Sequence, residues 1–400
     1  MTFSRHLSIV LYMLAISAAN AVEREAPETG QPGPLSSLVE TAWMHNPDIS
    51  ALVEEVDAGK ARIAQTRAQL LPNATLNGNY AANHTWAATG NTPDGRYRYS
   101  SLQTSVRVPL FKPQVNQTLE SSQLEMLDLK LAVRQSQNAL ALSIIDNVLQ
   151  HIVLREEIHV LEAQISNLKA QVDINLRRLE GGLGSRTEVG ETRLRLRLAQ
   201  TRLATRRSEL NRLRIELTRQ LGIDQFKLEA MTIKPEPTEI APDDVHAATE
   251  RLLKENLTLQ RASNKVAIAL SNRRLQDRGH WPTLNLVASR VNNRYYGSYQ
   301  TTAGDAASNS LTLEFELPLY AGGGISARQN EASALWLKAQ QELLSSRKST
   351  IAELQQQFEA RSLHLQRIVN NEATLSQARE LLEITRKAFA AGNRSNIDVL

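Results

Sequence analysis

Residues 182–189 read Gly-Leu-Gly-Ser-Arg-Thr-Glu-Val, and residues 392–399 read Gly-Asn-Arg-Ser-Asn-Ile-Asp-Val. The two stretches share a glycine, a serine, an acidic residue and a valine at the same spacing, 210 positions apart. Three further pairs repeat at an offset of 209 or 210 positions, namely Asn46 and Asn256, Pro72 and Pro282, and Pro109 and Pro318. A regular internal repeat indicates one structural unit used twice. The sequence therefore predicts two equivalent halves.

Alternating polarity predicts a β-hairpin in each half. Ala74, Leu76 and Tyr80 fall on one face of residues 73–83, and polar residues fall on the other, which is the period of two of a strand. Such strands of about 10 residues can cross a bilayer when tilted. We predict strands over about 73–84 and 100–110 with a loop over 85–98, and over about 283–292 and 309–317 with a loop over 293–309. Glu314 and Glu316 are expected to face water.

Long segments without glycine or proline predict very long helices. Residues 114–180 contain neither residue, and a helix of that length extends for roughly 100 Å. The leucine spacing beyond Gly184 is that of a coiled coil. The predicted ranges are 113–180, 187–221 and 325–391 for the long helices, 35–222 for the first repeat, 223–241 for a linker and 242–400 for the second repeat. We expect the last helix of the second repeat to lie beyond Leu400.

The first 21 residues read as a secretory signal peptide. Arg5 and His6 precede an apolar run over residues 7–18, and Ala19-Asn20-Ala21 forms a small-x-small cleavage site. A membrane anchor is the alternative, but the run is about 12 residues and a spanning helix needs about 20. We predict cleavage after Ala21.

The composition excludes several classes of protein. A mean hydropathy of −0.34 argues against a helical membrane protein, but not against a barrel, because only alternate barrel residues face lipid. Without cysteine, and with eight scattered histidines, the chain is expected to hold no metal or cofactor. No pattern of catalytic residues is present, so we predict that it is not an enzyme. The arginines crowded between Arg177 and Arg219 indicate a solvated face or an intersubunit salt-bridge seam rather than nucleic-acid binding.

The predicted strands are too few to close a barrel. Open strand edges in lipid leave backbone groups without partners, at several kcal/mol each. The chain is therefore expected to oligomerise, and three copies would supply twelve strands, an even number as in outer-membrane barrels.

In this order, the duplicated motifs resemble the TolC-like outer-membrane efflux proteins. The resemblance covers nearly the whole mature chain. It implies a homotrimer with a 12-stranded β-barrel in outer-membrane lipid and an α-helical tunnel in the periplasm, which is a mainly α fold with membrane β. It also implies a passive exit duct for type I protein secretion or multidrug efflux, with a periplasmic adaptor protein and an inner-membrane ABC or RND-type transporter as partners. The expected barrel-to-tunnel junctions are Pro72, Pro109, Pro282 and Pro318.

The resemblance also implies a gate at the helical tips. Its residues would be Thr187, Glu188, Phe389, Arg394 and Asp398, with tip turns at Gly182, Ser185, Gly392 and Ser395. Arg394 would link to Glu188, and Asp398 would form a ring of acids. Phe389 stands where the family pattern has a tyrosine, so that hydroxyl link cannot form. The alternative is that Glu188 and Asp398 only stabilise the first turns of their helices.

Two other classes of protein also contain long helical hairpins. A periplasmic adaptor would show one hairpin flanked by small β-modules, and a coiled-coil scaffold of the envelope would leave the four alternating strands without a role. The duplicated hairpins favour the channel. Because no N-terminal cysteine is available for a lipid anchor, the sequence leans toward the branch that serves protein secretion.

Overall fold

A computed structural model of the chain describes residues 34–85, 95–223, 242–297 and 305–390. The expected signal peptide, most of the expected linker and the second tip motif lie outside the described residues. The elements of the first half are α1 Pro34–His45, α2 Pro47–Ala68, β1 Asn73–Thr85, β2 Gly95–Phe111, α3 Pro113–Glu180 and α4 Arg186–Leu221. Those of the second half are α5 Pro242–Glu255, α6 Leu257–Asp277, β3 Thr283–Gly297, β4 Asp305–Glu316 and α7 Gly324–Ala390. The mainly helical fold with a duplicated helix–hairpin–helix order is confirmed.

Equivalent asparagines begin the second helix of each half. Asn46 accepts hydrogen bonds from the backbone N–H groups of Asp48 and Ile49 at 2.9 and 3.2 Å. Asn256 accepts one from the N–H of Leu259 at 3.1 Å. Both side chains replace backbone partners that the first turn of a helix lacks. The repeat seen in the sequence is therefore a repeat of local structure.

The four strands form one antiparallel sheet in the order β1-β2-β3-β4, in which β2 and β3 join the two halves. The hairpins are longer than predicted. Arg98 pairs with Ala82, and Arg294 pairs with Asp305, so the predicted loops over 85–98 and 293–309 were too long. Polar and glycine residues suggested turns there, whereas cross-strand pairing extends the ladder through them.

Four helices lie side by side below the sheet. The packing order α2-α3-α6-α7 is the order of the strands to which these helices connect. The α3–α6 contact is polar, with Gln117 donating to Ser271 at 2.9 Å and the guanidinium of Arg261 paired with Asp128 at 2.9 Å. No helix among the described residues combines the length and apolarity needed to span a bilayer.

The apolar core lies where α1 packs against α3 and α4. Its buried members are Val39, Ala42, Ile144, Val148, Leu213, Leu217 and Leu221. A smaller cluster further along α3 and α4 contains Ile165, Leu168 and Ala199. The helices α3 and α4 form an antiparallel hairpin, and its tip is the turn after Glu180.

Candidate functional site

The first candidate site is the turn that joins α3 to α4. The N–H of Gly182 donates to the carbonyl of Leu179 at 3.1 Å, and the N–H of Leu183 donates to that of Arg178 at 2.8 Å. These two bonds end a helix when the first donor residue has a left-handed backbone conformation. Gly182 is that residue, and its φ is +71°. A Cβ at Gly184 would lie 2.9 Å from the backbone nitrogen of Leu179. Both glycines are therefore required by the turn.

Glu188 caps the helix that follows the turn. The hydroxyl of Ser185 accepts a hydrogen bond from the N–H of Thr187 at 3.1 Å. The carboxylate of Glu188 accepts one from the N–H of Ser185 at 3.5 Å, which completes a capping box. Thr187 is exposed and Glu188 is half-buried. The helix-stabilising role that the sequence offered as an alternative for Glu188 is thus present.

Behind the capped turn lies a buried polar network that sequence reasoning missed. Asn175 donates to the hydroxyl of Thr192 at 3.0 Å and accepts from the amide of Gln171 at 3.1 Å. Thr192 in turn donates to the backbone carbonyl of Glu188 at 2.8 Å. Gln171, Asn175 and Thr192 are 7%, 3% and 2% exposed. The sequence pattern that could have revealed this network is the presence of polar residues at positions where a coiled coil normally has apolar ones.

Three arginines of α4 form ion pairs within the chain. Arg206 lies 2.9 Å from Glu157, and Arg207 lies 2.6 Å from Glu162, so both join α4 to α3. A hydrogen bond from Arg219 holds the pKa of the Glu216 carboxyl below its ordinary value, although burial acts in the opposite direction. Part of the arginine-rich face is therefore a seam inside one subunit.

The second tip is described only as far as α7. Phe389 lies in the last turn of that helix, which packs along α6 and contacts α5. Gly392, Arg394, Ser395 and Asp398 lie outside the described residues. The link between Arg394 and Glu188 stays a prediction.

The second candidate region is the junction between sheet and helices. Gln114 donates to the carbonyl of Arg278 at 3.1 Å, and the guanidinium of Arg278 donates to the carbonyl of Pro113 at 3.0 Å. His280 lies 3.0 Å from the carbonyl of Pro318. Of the predicted junction prolines, Pro72 and Pro282 immediately precede β1 and β3, Pro318 follows β4, and Pro109 lies inside β2 at a shift in register. These contacts fix the sheet onto the helices across both halves.

The two faces of the sheet differ in exposure. Along β3 the even-numbered residues from 288 to 296 are exposed, whereas the odd-numbered residues between them are half-buried. The sheet is curled, and the side chains of these odd-numbered residues lie on its concave face. On this concave face Arg107 pairs with Glu314, reaching over β3. Further hydrogen bonds on the face join Thr75 to Ser105 at 2.7 Å and Ser289 to Ser310 at 2.8 Å. Glu314 lies on this polar face, as the sequence predicted. Its partner Arg107 could be identified only from the register of the strands.

A protein-family model described as "Outer membrane efflux protein" matches residues 38–223 and 248–400 of the chain. The two matched segments cover most of the two structural halves.

Similar proteins include two named for protein secretion. The chain is 26% identical over 375 residues to "Proteases secretion protein PrtF" of Dickeya chrysanthemi, covering 90% of this chain and 80% of that protein. It is 25% identical over 368 residues to "Alkaline protease secretion protein AprF" of Pseudomonas aeruginosa, covering 90% and 76%. The fold also matches the crystal structure of the Campylobacter jejuni CmeC outer membrane channel, with a TM-score of 0.73, 14% identity and coverage of 96% of this chain and 86% of that one.

Proposed function

Because this chain belongs to the outer membrane efflux protein family, we propose that it forms the passive exit duct of an export system that spans the cell envelope. It is an outer-membrane protein. The observation that carries the proposal is the continuity of four strands with four helices in the same lateral order. Such a chain can form one part of a channel wall, in which a β-sheet continues into a layer of helices.

The assembly we propose is a trimer. β1 and β4 are the two edges of the sheet, and the described residues supply no further strand to pair with either. An open edge in lipid costs several kcal/mol for each backbone group left without a partner. If β4 of one copy pairs with β1 of the next, three copies close a barrel of twelve strands, within the range of outer-membrane barrels. Edges α2 and α7 of the helical layer would meet in the same way.

The proposed cargo is protein, delivered by an inner-membrane transporter through a periplasmic adaptor. PrtF and AprF, which are similar to this chain over most of its length, are named as protease secretion proteins. Multidrug efflux through the same duct is the second candidate, supported by the efflux description of the family. A strain lacking its own outer-membrane duct, but carrying transporter, adaptor and protease cargo, should recover secretion when this protein is supplied. Recovery of drug resistance without secretion would favour the second candidate.

We also propose that the tip around Glu188 is the gate. Glu188 is a half-buried residue in the first turn of α4, at the tip of the α3–α4 hairpin, and the repeat offers Arg394 as its partner at the other tip. An arginine–carboxylate hydrogen bond is worth about 1.5–3 kcal/mol when shielded and under about 1 kcal/mol when exposed. Three such links would bias a closed–open equilibrium strongly.

The channel is tested with the purified mature protein. We expect a trimer in detergent that inserts into planar bilayers as a conducting pore. A folded monomer without conductance would contradict the proposal. A non-conducting trimer would instead favour a scaffold.

A further inference from the structure

Four arginines lie on the convex face of the sheet toward its loop end, which is the end opposite the helices. They are Arg96 and Arg98 on β2, and Arg290 and Arg294 on β3, and all four are exposed. Arg98 pairs in register with Tyr296, and Ser100 pairs with Arg294. Arg98 and Arg294 are therefore diagonal neighbours on one face, at a Cα separation of about 7–8 Å. We call these four residues the arginine cluster.

Below Arg98 and Arg294 the same face is mostly apolar. Its exposed members nearer the helices are Leu76, Val106, Leu311, Leu313 and Phe315. From Leu284 to Arg294 the strand rises by about 33 Å, which at a tilt of about 40° gives a height of about 25 Å, the height of the apolar band of outer-membrane barrels. Tyr80 and Tyr296, which are 64% and 51% exposed, lie at the level of Arg294 and Arg98. Aromatic residues mark the boundary between lipid tails and headgroups.

The charge at this boundary is largely unbalanced. Arg294 is paired with Asp305 at 3.2 Å. Among the described residues no acidic side chain pairs with Arg96, Arg98 or Arg290. Arg290 lies deeper, about 15 Å above Leu284, where a cation facing lipid tails is costly unless its long side chain extends to an anion at the surface. The convex face therefore offers several cations at headgroup level.

We propose that the arginine cluster binds the phosphates of a glycolipid in the outer leaflet of the membrane. The proposal rests on the proposed function, because it requires the convex face to meet lipid with the loop end outermost. The planar guanidinium group donates two parallel hydrogen bonds to a phosphate, so arginines on neighbouring strands can hold a headgroup that carries two phosphates. The lipid would then seal the surface where β2 and β3 join the two halves of the chain.

The test measures lipid retained by the purified trimer in native mass spectrometry. The probe is bisphosphorylated lipid A, compared with phosphatidylcholine. We expect the unsubstituted protein to retain lipid A preferentially and the double variant Arg98→Gln/Arg294→Gln to bind it at least about tenfold more weakly. Millimolar inorganic phosphate should not displace the lipid, since a free ion lacks the acyl chains that hold the headgroup at this level.

Arg107→Gln is the matched control, because it removes the same charge from the concave face of the same sheet. Lipid retention by this variant should equal that of the unsubstituted protein. Equal retention by the double variant, equal loss in the control, or displacement by phosphate alone would each overturn the proposal. Trimer mass and conductance are recorded on the same samples. If both are normal while lipid A is not retained, the lipid site fails and the channel stands.

Discussion

Asn175 donates a hydrogen bond to the hydroxyl of Thr192 at 3.0 Å, between two side chains that are 3% and 2% exposed. The bond crosses from α3 to α4 one turn behind the capped tip. A buried polar pair in a coiled coil fixes the register of the helices, because any slip leaves polar groups without partners. We infer that this pair determines where the tip places Glu188.

Asn175→Ala should destabilise the protein by about 1–3 kcal/mol, since it leaves the buried amide of Gln171 without its acceptor. The triple variant Gln171→Leu/Asn175→Leu/Thr192→Val should lie close to the parent in stability, because all three buried polar side chains of the network are replaced together. Thermal unfolding in detergent, followed by circular dichroism, measures both. Gln150→Ala removes an exposed amide from the same helix and serves as the control. A triple variant as unstable as Asn175→Ala would refute the account.

Two glycines of the α3–α4 hairpin should respond to alanine in opposite ways. Gly222 has φ +68°, and an added Cβ would lie 2.4 Å from the carbonyl oxygen of His45, so Gly222→Ala should cost about 2 kcal/mol or more. Gly190 lies inside α4 with no atom within 4 Å of an added Cβ, so Gly190→Ala should stabilise by about 0.5–1 kcal/mol. The urea midpoint of unfolding should fall for Gly222→Ala and rise for Gly190→Ala. A change of the same sign in both variants would contradict this prediction.

Glu188 has two separable roles, and two substitutions distinguish them. Glutamine can complete a capping box but carries no charge, so Glu188→Gln should preserve stability, whereas Glu188→Ala should cost about 0.5–2 kcal/mol. If the link to Arg394 holds the gate, both variants and Arg394→Ser should raise single-channel conductance. Phe389→Ala should raise it less, because Phe389 has no hydroxyl to lose. A silent Glu188→Gln alongside an active Glu188→Ala would assign the residue to capping alone.

The pair formed by Arg107 and Glu314 on the concave face should influence ion selectivity. Both side chains are about half exposed, at 52% and 41%. Glu314→Gln leaves an uncompensated cation in each subunit and should shift the channel toward anions, while Arg107→Gln should shift it toward cations. Reversal potentials in a salt gradient measure the direction. Shifts of the same sign in both variants would show that this face does not line the pore.

Acid should remove a small stabilising contribution of Glu216. Its pKa is lowered in the folded protein by the hydrogen bond from Arg219, so the contribution is present above the pKa of the unfolded chain and is lost as the pH falls through the folded pKa. Because the Glu216 side chain is 40% exposed, we expect less than about 1 kcal/mol. Urea midpoints of the parent and Glu216→Gln should differ at pH 7 and approach each other as the pH falls below the ordinary pKa of a glutamate. A constant difference would assign the effect to packing.

The sequence by itself determined the duplicated architecture. Its signals were local: prolines and glycines that stop helices, asparagines at 46 and 256 that begin them, and side chains alternating along strands. These act through backbone geometry within a few residues, so they can be read without knowing what packs against what. The same locality explains the error in the loops, where the ladder continues through Arg98 and Arg294 despite turn-forming neighbours.

Only the tertiary structure decided which residues meet across elements. The partners in Asn175–Thr192 are 17 positions apart, and those in Arg107–Glu314 are 207 apart. The placement of arginines 98 and 294 side by side on the convex face likewise depends on the register between β2 and β3. A slip of one residue would move every side chain of a strand to the other face. Register is set by the summed packing and hydrogen bonding of whole strands and helices, and no local motif contains that sum.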